Sequence, residues 1–221
     1  MHVPMRKYLL VTSLFLLYGG IATQAQQAAS ADFGRYFQPM KKIGDTLFFS
    51  LTEPRGMRAD IIPYAVFTTN IDVQLQQNID YLLDPEETSI VGLSRFALND
   101  EYDAYIIGVT VYWFGNQSLL IVNKKLNYVT ALIPVSQFYG GDGGQVLRNT
   151  WFFDYNGDGK KDLLIRDSAH ALRTNEAGEM EDSYEEFVSL YLWQSDGFKP
   201  AKLSAADETR LIRRFPIDWD W

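Results

Sequence analysis

A nine-residue segment near residue 160 carries oxygen donors at regular intervals, a pattern that predicts a metal site. Calcium in proteins takes six to eight oxygens from carboxylates, amides and carbonyls at about 2.3–2.6 Å. Gly157 and Gly159 alternate with the donors and allow the chain to curl tightly, because glycine reaches positive φ without steric cost. The predicted calcium ligands are Asp154, Asn156, Asp158, Lys160 through its backbone carbonyl, and Asp162.

The flanks of this segment favour strands rather than helices. Residues 149–153 and 163–165 are mostly aromatic, aliphatic or β-branched, as strands are. An EF-hand loop also requires a glutamate at its twelfth position, where this chain has Ile165. The segment is therefore predicted to hold calcium between two strands.

The spacing resembles the calcium loop of integrin α-chain propellers and of bacterial FG-GAP and VCBS proteins, D-x-[DN]-x-D-G-x-x-D-[LIV]. The resemblance covers residues 149–165. It implies a structural calcium ion that holds the loop between two strands of a blade. The alternative interpretation is a turn in which Asn and Asp side chains bond only their own backbone.

The N-terminus has the pattern of a secretory signal peptide. Arg6 and Lys7 precede an apolar run over residues 8–18, and small residues follow at 23–25. The run is too short to cross a bilayer as a helix. We therefore expect a signal peptide at 1–25, export to the periplasm or the medium, a lead-in segment at 26–40, and a single β-rich calcium-binding domain at 41–221.

The charge balance argues against nucleic acid as a partner. The chain has 20 basic and 28 acidic residues. Residues 1–25 contain two of the bases and no acid, so the mature chain would carry 18 bases against 28 acids, a net charge of −10. Duplex binding requires a basic surface that neutralises phosphates. The chain has no cysteine, so disulfides do not stabilise it.

The pattern along the chain predicts a mainly β fold of antiparallel sheets, a reduced β-propeller-like assembly with a short C-terminal helix. Ser204 is the expected cap of that helix. Residues 99–107 resemble a degenerate copy of 158–165, with Asp103 in the place of Asp162. The other predicted elements are strands at 48–51, 61–67, 103–114, 119–122, 128–133 and 187–193, a helix at 72–83, a turn at 115–116, a hairpin tip at 123–127, and loops at 140–144 and 175–186.

The sequence does not predict catalysis, and no catalytic residue is assigned. After residue 25 the only histidine is His170, which is interpreted as a surface or loop residue. Cysteine–histidine chemistry is excluded, and no nucleophile-elbow motif lies near His170. The acidic residues Glu181, Asp182, Glu185 and Glu186 are interpreted as a solvated loop, although two carboxylates about 5–10 Å apart would suit glycoside hydrolysis.

The predicted function is that of an exported, non-catalytic binding module for a protein or a glycan. Tyr139, Trp219 and Trp221 are the first candidates for contacting the partner. In size, export signal and the strand motif at 191–193, the chain also resembles small periplasmic proteins that include inhibitors of lysozyme-like cell-wall hydrolases. That role is the first alternative, and a carbohydrate-active enzyme with a carboxylate pair is the second.

Overall fold

The computed structural model describes residues 33–41, 43–51, 59–79, 83–112, 114–141, 144–174 and 178–217. The predicted signal peptide and both terminal tryptophans, Trp219 and Trp221, lie outside these residues. No helix among the described residues is long and apolar enough to cross a membrane.

Strands dominate the described residues and join into one continuous sheet. Its order is β1-β4-β5-β6-β7-β8-β9-β10-β11, while β2 pairs with β8 and β3 pairs with β4. Only β1 runs parallel to its neighbour; the other pairings are antiparallel. The strands are β1 Gln38–Pro39, β2 Thr46–Phe49, β3 Asp60–Ile61, β4 Thr88–Ala97, β5 Tyr102–Val111, β6 Phe114–Asn123, β7 Tyr128–Gly141, β8 Gly144–Phe153, β9 Asp162–Thr174, β10 Met180–Gln194 and β11 Gly197–Pro200.

This architecture confirms the mainly β class and the short C-terminal helix. The strands form one sheet that is not closed, rather than separate blades, because consecutive antiparallel pairings continue the hydrogen-bonded ladder from β4 to β11. Most of the predicted strands are also longer in the structure. β10, for example, begins at Met180 rather than near residue 187.

The turn predicted at residues 115–116 is wrong, because both residues lie inside β6. The ladder pairs Val111 with Phe114, and the chain turns at Tyr112 instead. Tyr112 takes φ 53°, as tight hairpins of this kind require. The predicted tip at 123–127 is confirmed, and Asn127 there has φ 52°.

The strand predicted at 61–67 is wrong beyond Ile61, the last residue of β3, since helix α1 occupies Tyr64–Asn70. Pro63 precedes the helix with φ −56°, which suits a helix start, and its missing N–H costs nothing there. Phe67 and Ile71, four residues apart, are both buried. The helix predicted at 72–83 is shortened to α2, Val73–Gln76, in the described part of that segment.

The sheet curls so that its first strands face its last ones. Phe96 on β4 lies 5.9 Å from Phe152 on β8, and Tyr102 on β5 lies 5.5 Å from Trp193 on β10, measured between ring centroids. A second apolar layer packs α1 against the opposite face of β5 and β6. Phe33 belongs to that layer and is 1% exposed, so the predicted lead-in already contributes to the core from this residue onward.

Helix α3, Ala205–Arg214, packs on β10 through the buried residue Leu211. The predicted cap is confirmed, because Ser204 Oγ accepts the backbone N–H of Asp207 at 3.2 Å. Ser204 also donates its hydroxyl to the carboxylate of Asp207 at 2.7 Å, which lowers the pKa of that carboxyl. These contacts fix the start of the helix at the sheet's outer face.

Candidate metal centre and binding surfaces

The predicted calcium segment forms the loop between β8 and β9. The two strands remain paired up to Phe153 and Asp162, so the loop is anchored at both ends. Gly157 and Gly159 have φ 78° and 82°, where a side chain would be strained. The sequence therefore places glycine where the curl requires it.

The loop wraps around the carboxylate of Asp154. Its Oδ1 accepts the backbone N–H groups of Gly157 at 2.7 Å and Asp158 at 3.1 Å, and its Oδ2 accepts that of Gly159 at 2.9 Å. Three successive N–H groups thus point at one side chain. This convergence holds the first predicted ligand on the inner side of the curl.

Two further predicted ligands join the same network. Asn156 Oδ1 accepts the N–H of Asp158 at 3.0 Å, and Asp158 Oδ1 accepts the N–H of Lys160 at 2.9 Å. The ammonium of Lys160 lies 3.7 Å from Asp158 Oδ2. Both the backbone N–H and the ammonium of Lys160 therefore contact Asp158. These contacts position the residue whose backbone carbonyl is a predicted ligand.

Asp162 is placed differently, because it is buried and ties the loop to the sheet. The residue is 1% exposed. Its Oδ2 accepts the N–H of Tyr155 at 3.0 Å, and its Oδ1 accepts that of Trp193 on β10 at 2.9 Å. One carboxylate thus connects the start of the loop, β9 and β10, a role that the sequence pattern did not reveal.

Lys161 adds a contact that sequence reasoning also missed. Its ammonium donates to the backbone carbonyls of Asp45 at 2.6 Å and Gly44 at 3.4 Å, just before β2. The partners are 116 and 117 residues apart in sequence. The loop therefore also holds the N-terminal part of the fold.

The oxygen donors of the loop suit a calcium ion in type. In the described part of the chain, no three His, Cys, Asp or Glu side chains cluster closely enough to hold a metal ion. The candidate set instead combines carboxylates with the amide of Asn156 and the carbonyl of Lys160, and a carboxylate oxygen that accepts one N–H keeps further acceptor capacity. Asp154, Asn156 and Asp158 belong to one hydrogen-bonded network in the loop. Asp162 differs, because each of its two carboxylate oxygens accepts a backbone N–H group.

The degenerate copy at residues 99–107 forms a turn of another kind. Asn99 Oδ1 accepts the N–H groups of Glu101 and Tyr102 at 2.8 and 2.9 Å. Asp103 is paired with Lys124 at 3.3 Å and is partly exposed. The two turns each precede a strand, and in the loop at 154–162 three side chains, Asp154, Asn156 and Asp158, accept backbone N–H groups in one local network.

A groove of about 740 Å³ opens on the inner side of the curled sheet. Its walls include the aromatic residues Tyr102, Tyr128 and Tyr191. Arg148 and Asp167 also line it and form a two-pronged ion pair, with N–O distances of 2.7 and 3.0 Å. The groove is therefore aromatic, polar and locally neutral in charge.

The acidic residues that the sequence assigned to a loop lie on β10, and that assignment is wrong from Met180 onward. Asp182 Oδ1 is 2.6 Å from His170 Nε2, and Glu185 is 2.6 Å from Arg173. His170 likewise lies on β9 rather than in a loop. These cross-strand pairs stabilise a strand whose composition alone suggested a solvated coil.

Tyr139 remains a candidate contact residue. It is 40% exposed, and its ring stacks on Phe114 with centroids 4.6 Å apart. It thus presents one face of a ring that is already ordered by a neighbour.

Comparison of the chain with protein-family models, with curated proteins and with solved structures gives no match.

Proposed function

We propose that this chain is an exported, calcium-stabilised β domain that binds a protein or a glycan and does not catalyse a reaction. The observation that carries the proposal is the loop at 154–162, where Asp154, Asn156 and Asp158 form one compact network of oxygen acceptors. The resemblance of this loop to those of FG-GAP and VCBS proteins supports a structural rather than a catalytic ion.

The ion would act on stability through the elements that the loop joins. The ion would be held by Asp154, Asn156, Asp158 and the carbonyl of Lys160. Asp162 would anchor the loop to the sheet through its bonds to Tyr155 and Trp193. The loop contacts β8, β9, β10 and the segment before β2. A cation bound only by the folded chain adds its binding free energy to the stability of all these elements.

We expect Asp158→Ala to abolish stabilisation by calcium. In extracellular modules calcium binds with dissociation constants of about 10⁻⁴–10⁻³ M. At about 10 mM calcium the wild-type chain would then gain about 1.4–2.7 kcal/mol in free energy of unfolding. Urea unfolding of the mature chain with EGTA and with calcium measures this gain.

Asp100→Ala is the matched control, because Asp100 is exposed and lies in the turn of the degenerate copy. This variant is expected to keep the full calcium effect. Equal unfolding curves for the wild-type chain in EGTA and in calcium, or an undiminished gain in Asp158→Ala, would contradict the metal site.

The groove supports the binding part of the proposal. Its volume lies within the roughly 300–1,000 Å³ of ordinary ligand sites. Tyr128 and Tyr191 offer flat rings with polar edges, and such rings combine apolar contact with hydrogen bonding. A sugar ring or a short loop of a protein has the matching chemistry.

Inhibition of a lysozyme-like hydrolase is the second candidate, and the charge of the mature chain favours it. A chain with net charge −10 attracts basic proteins over a distance and speeds their encounter. We expect a basic lysozyme to be captured at low salt and more weakly at high salt, since ions screen this attraction.

Succinylated lysozyme, which has lost its positive lysine charges, is the control in the same pull-down. It is expected to stay in the unbound fraction. Failure to capture the unmodified lysozyme at either salt concentration would count against this second candidate.

A further inference from the structure

Strand β10 has a long edge without a strand partner in the described part of the chain. It pairs with β9 from Met180 to Tyr191 on one side, but with β11 only from Tyr191 to Gln194 on the other. Between Met180 and Leu190 that second side meets no strand among the described residues. An unpaired edge presents a row of N–H and C=O groups to any extended chain.

The register identifies which backbone groups face outward. The carbonyl of Leu190 accepts the N–H of Ala201, so the polar groups of Leu190 point away from β9. Residues in an antiparallel strand alternate in the direction of these groups. Asp182, Tyr184 and Glu186 therefore also direct their N–H and C=O groups to the open side.

The same stretch exposes large apolar side chains on both faces of the strand. Met180 and Tyr184 on one face are 62% and 65% exposed, and Phe187 on the other is 52% exposed. Exposed apolar groups beside an open edge favour its coverage by another chain.

The charge on this edge selects the kind of chain that fits. Residues 180–187 include four acids, Glu181, Asp182, Glu185 and Glu186, and no base. Pairing with the same edge of a second copy would place acids against acids, which is unfavourable. His170, Arg173 and Arg166 each contact one of these acids, whereas Glu181 has no ionic partner among the described residues.

We propose that the free edge of β10 binds a basic, extended segment of a partner protein by strand addition. The backbone of the partner pairs with Asp182, Tyr184 and Glu186. Its lysine or arginine side chains lie beside the acids on both faces, and its apolar side chains cover Tyr184 and Phe187. The main chain then supplies affinity and the side chains supply selectivity.

An acetylated octapeptide that repeats Lys-Lys-Val-Val is a suitable probe, because it presents both lysine and valine on each face of a strand. Asp182 permits a test at a single position. Asp182→Ala removes the carboxylate and keeps the N–H, whereas Asp182→Pro removes both. Proline is tolerated at edge positions whose N–H faces solvent. By calorimetry we expect Asp182→Pro to bind the peptide roughly tenfold more weakly than Asp182→Ala.

Amide hydrogen exchange on the unsubstituted chain tests the same inference without any variant. The peptide is expected to slow exchange at Asp182, Tyr184 and Glu186, and to leave Phe187, which faces β9, unchanged. The same peptide with glutamate in place of lysine is expected not to bind.

Equal affinity of the two Asp182 variants, together with unchanged exchange at the three amides, would reduce the interaction to charge attraction and overturn the proposal. A dimer in sedimentation that forms through this edge without peptide would also overturn it. Neither outcome involves the calcium loop or the groove, so the function proposed above would stand or fall separately.

Discussion

Asp162→Ala is expected to lower the free energy of unfolding by about 3–5 kcal/mol, whether or not calcium is present. The carboxylate is buried and accepts two backbone N–H groups, from Tyr155 and Trp193. Hydrogen bonds to charged groups contribute about 1.5–3 kcal/mol each, and the two buried donors would lose their partner together. Urea unfolding in EGTA, followed by tryptophan fluorescence, measures the loss.

Asp103→Ala is the control, since Asp103 corresponds to Asp162 in the degenerate copy. It forms one partly exposed ion pair with Lys124, and pairs of that kind contribute about 0–1 kcal/mol. If both variants lost a similar free energy of unfolding, the two buried hydrogen bonds of Asp162 would have no special role in stability.

The pair Asp162 and Asp158 also separates structural support from metal binding. Asp158 accepts one exposed N–H, so its replacement costs little without calcium. Its effect should appear only when calcium is added, whereas the effect of Asp162→Ala should already be present in EGTA. In this loop, Asp162 would then stabilise the fold with or without calcium, and Asp158 only when calcium is bound.

Local composition predicted the strands best where they are apolar. β5 is rich in β-branched and aromatic side chains, β6 contains an aliphatic run at residues 119–122, and most residues of both strands are buried. The segment at 61–67 has a similar composition but becomes α1, because Pro63 starts a helix and Phe67 and Ile71 recur on its buried face. The choice between the two depended on packing that a short window of sequence does not contain.

The candidate metal loop could be located from spacing because its contacts are local. Asp154 bonds residues three to five positions ahead, and Asn156 and Asp158 each bond two positions ahead. The contact from Asp162 to Trp193 spans 31 residues, and that from Lys161 to Asp45 spans 116. Such tertiary contacts leave no periodic signal, so the sequence could not assign those roles.

Composition predicts a loop instead of a strand at the acidic start of β10 for a related reason. Its two pairs of adjacent acids are unusual for a strand, but Arg173 and His170 on β9 contact Glu185 and Asp182 and offset the repulsion. Strand formation there depends on a partner about 12 residues away rather than on the segment's own propensity. The same segment carries four acids and no base, and its second edge pairs with no strand among the described residues.

Arg166 is the other charged group whose role depends on distant partners, and it holds α3 on the sheet. Its side chain is fully buried. Nη1 donates to the carbonyls of Ile212 at 2.8 Å and Phe215 at 2.5 Å, at the end of the helix, and Nε donates to the carbonyl of Phe187 at 3.2 Å. Burial lowers the pKa of Arg166 below its usual range, although the negative charges of Glu186 and Asp167 act in the opposite direction. An arginine side chain nevertheless stays protonated in proteins.

Arg166→Met is therefore expected to lower the free energy of unfolding by about 3 kcal/mol and to release α3, because three carbonyls lose a charged donor. Methionine fills much of the volume, so the loss reports the polar contacts rather than a cavity. Urea unfolding gives the energy, and limited trypsin digestion shows earlier cleavage after Arg213 or Arg214 in the released helix. Arg173→Met is the matched control, since Arg173 is 60% exposed and makes one ion pair. Equal stability and equal cleavage rates in the two variants would mean that the apolar contacts of Leu211 alone hold the helix in place.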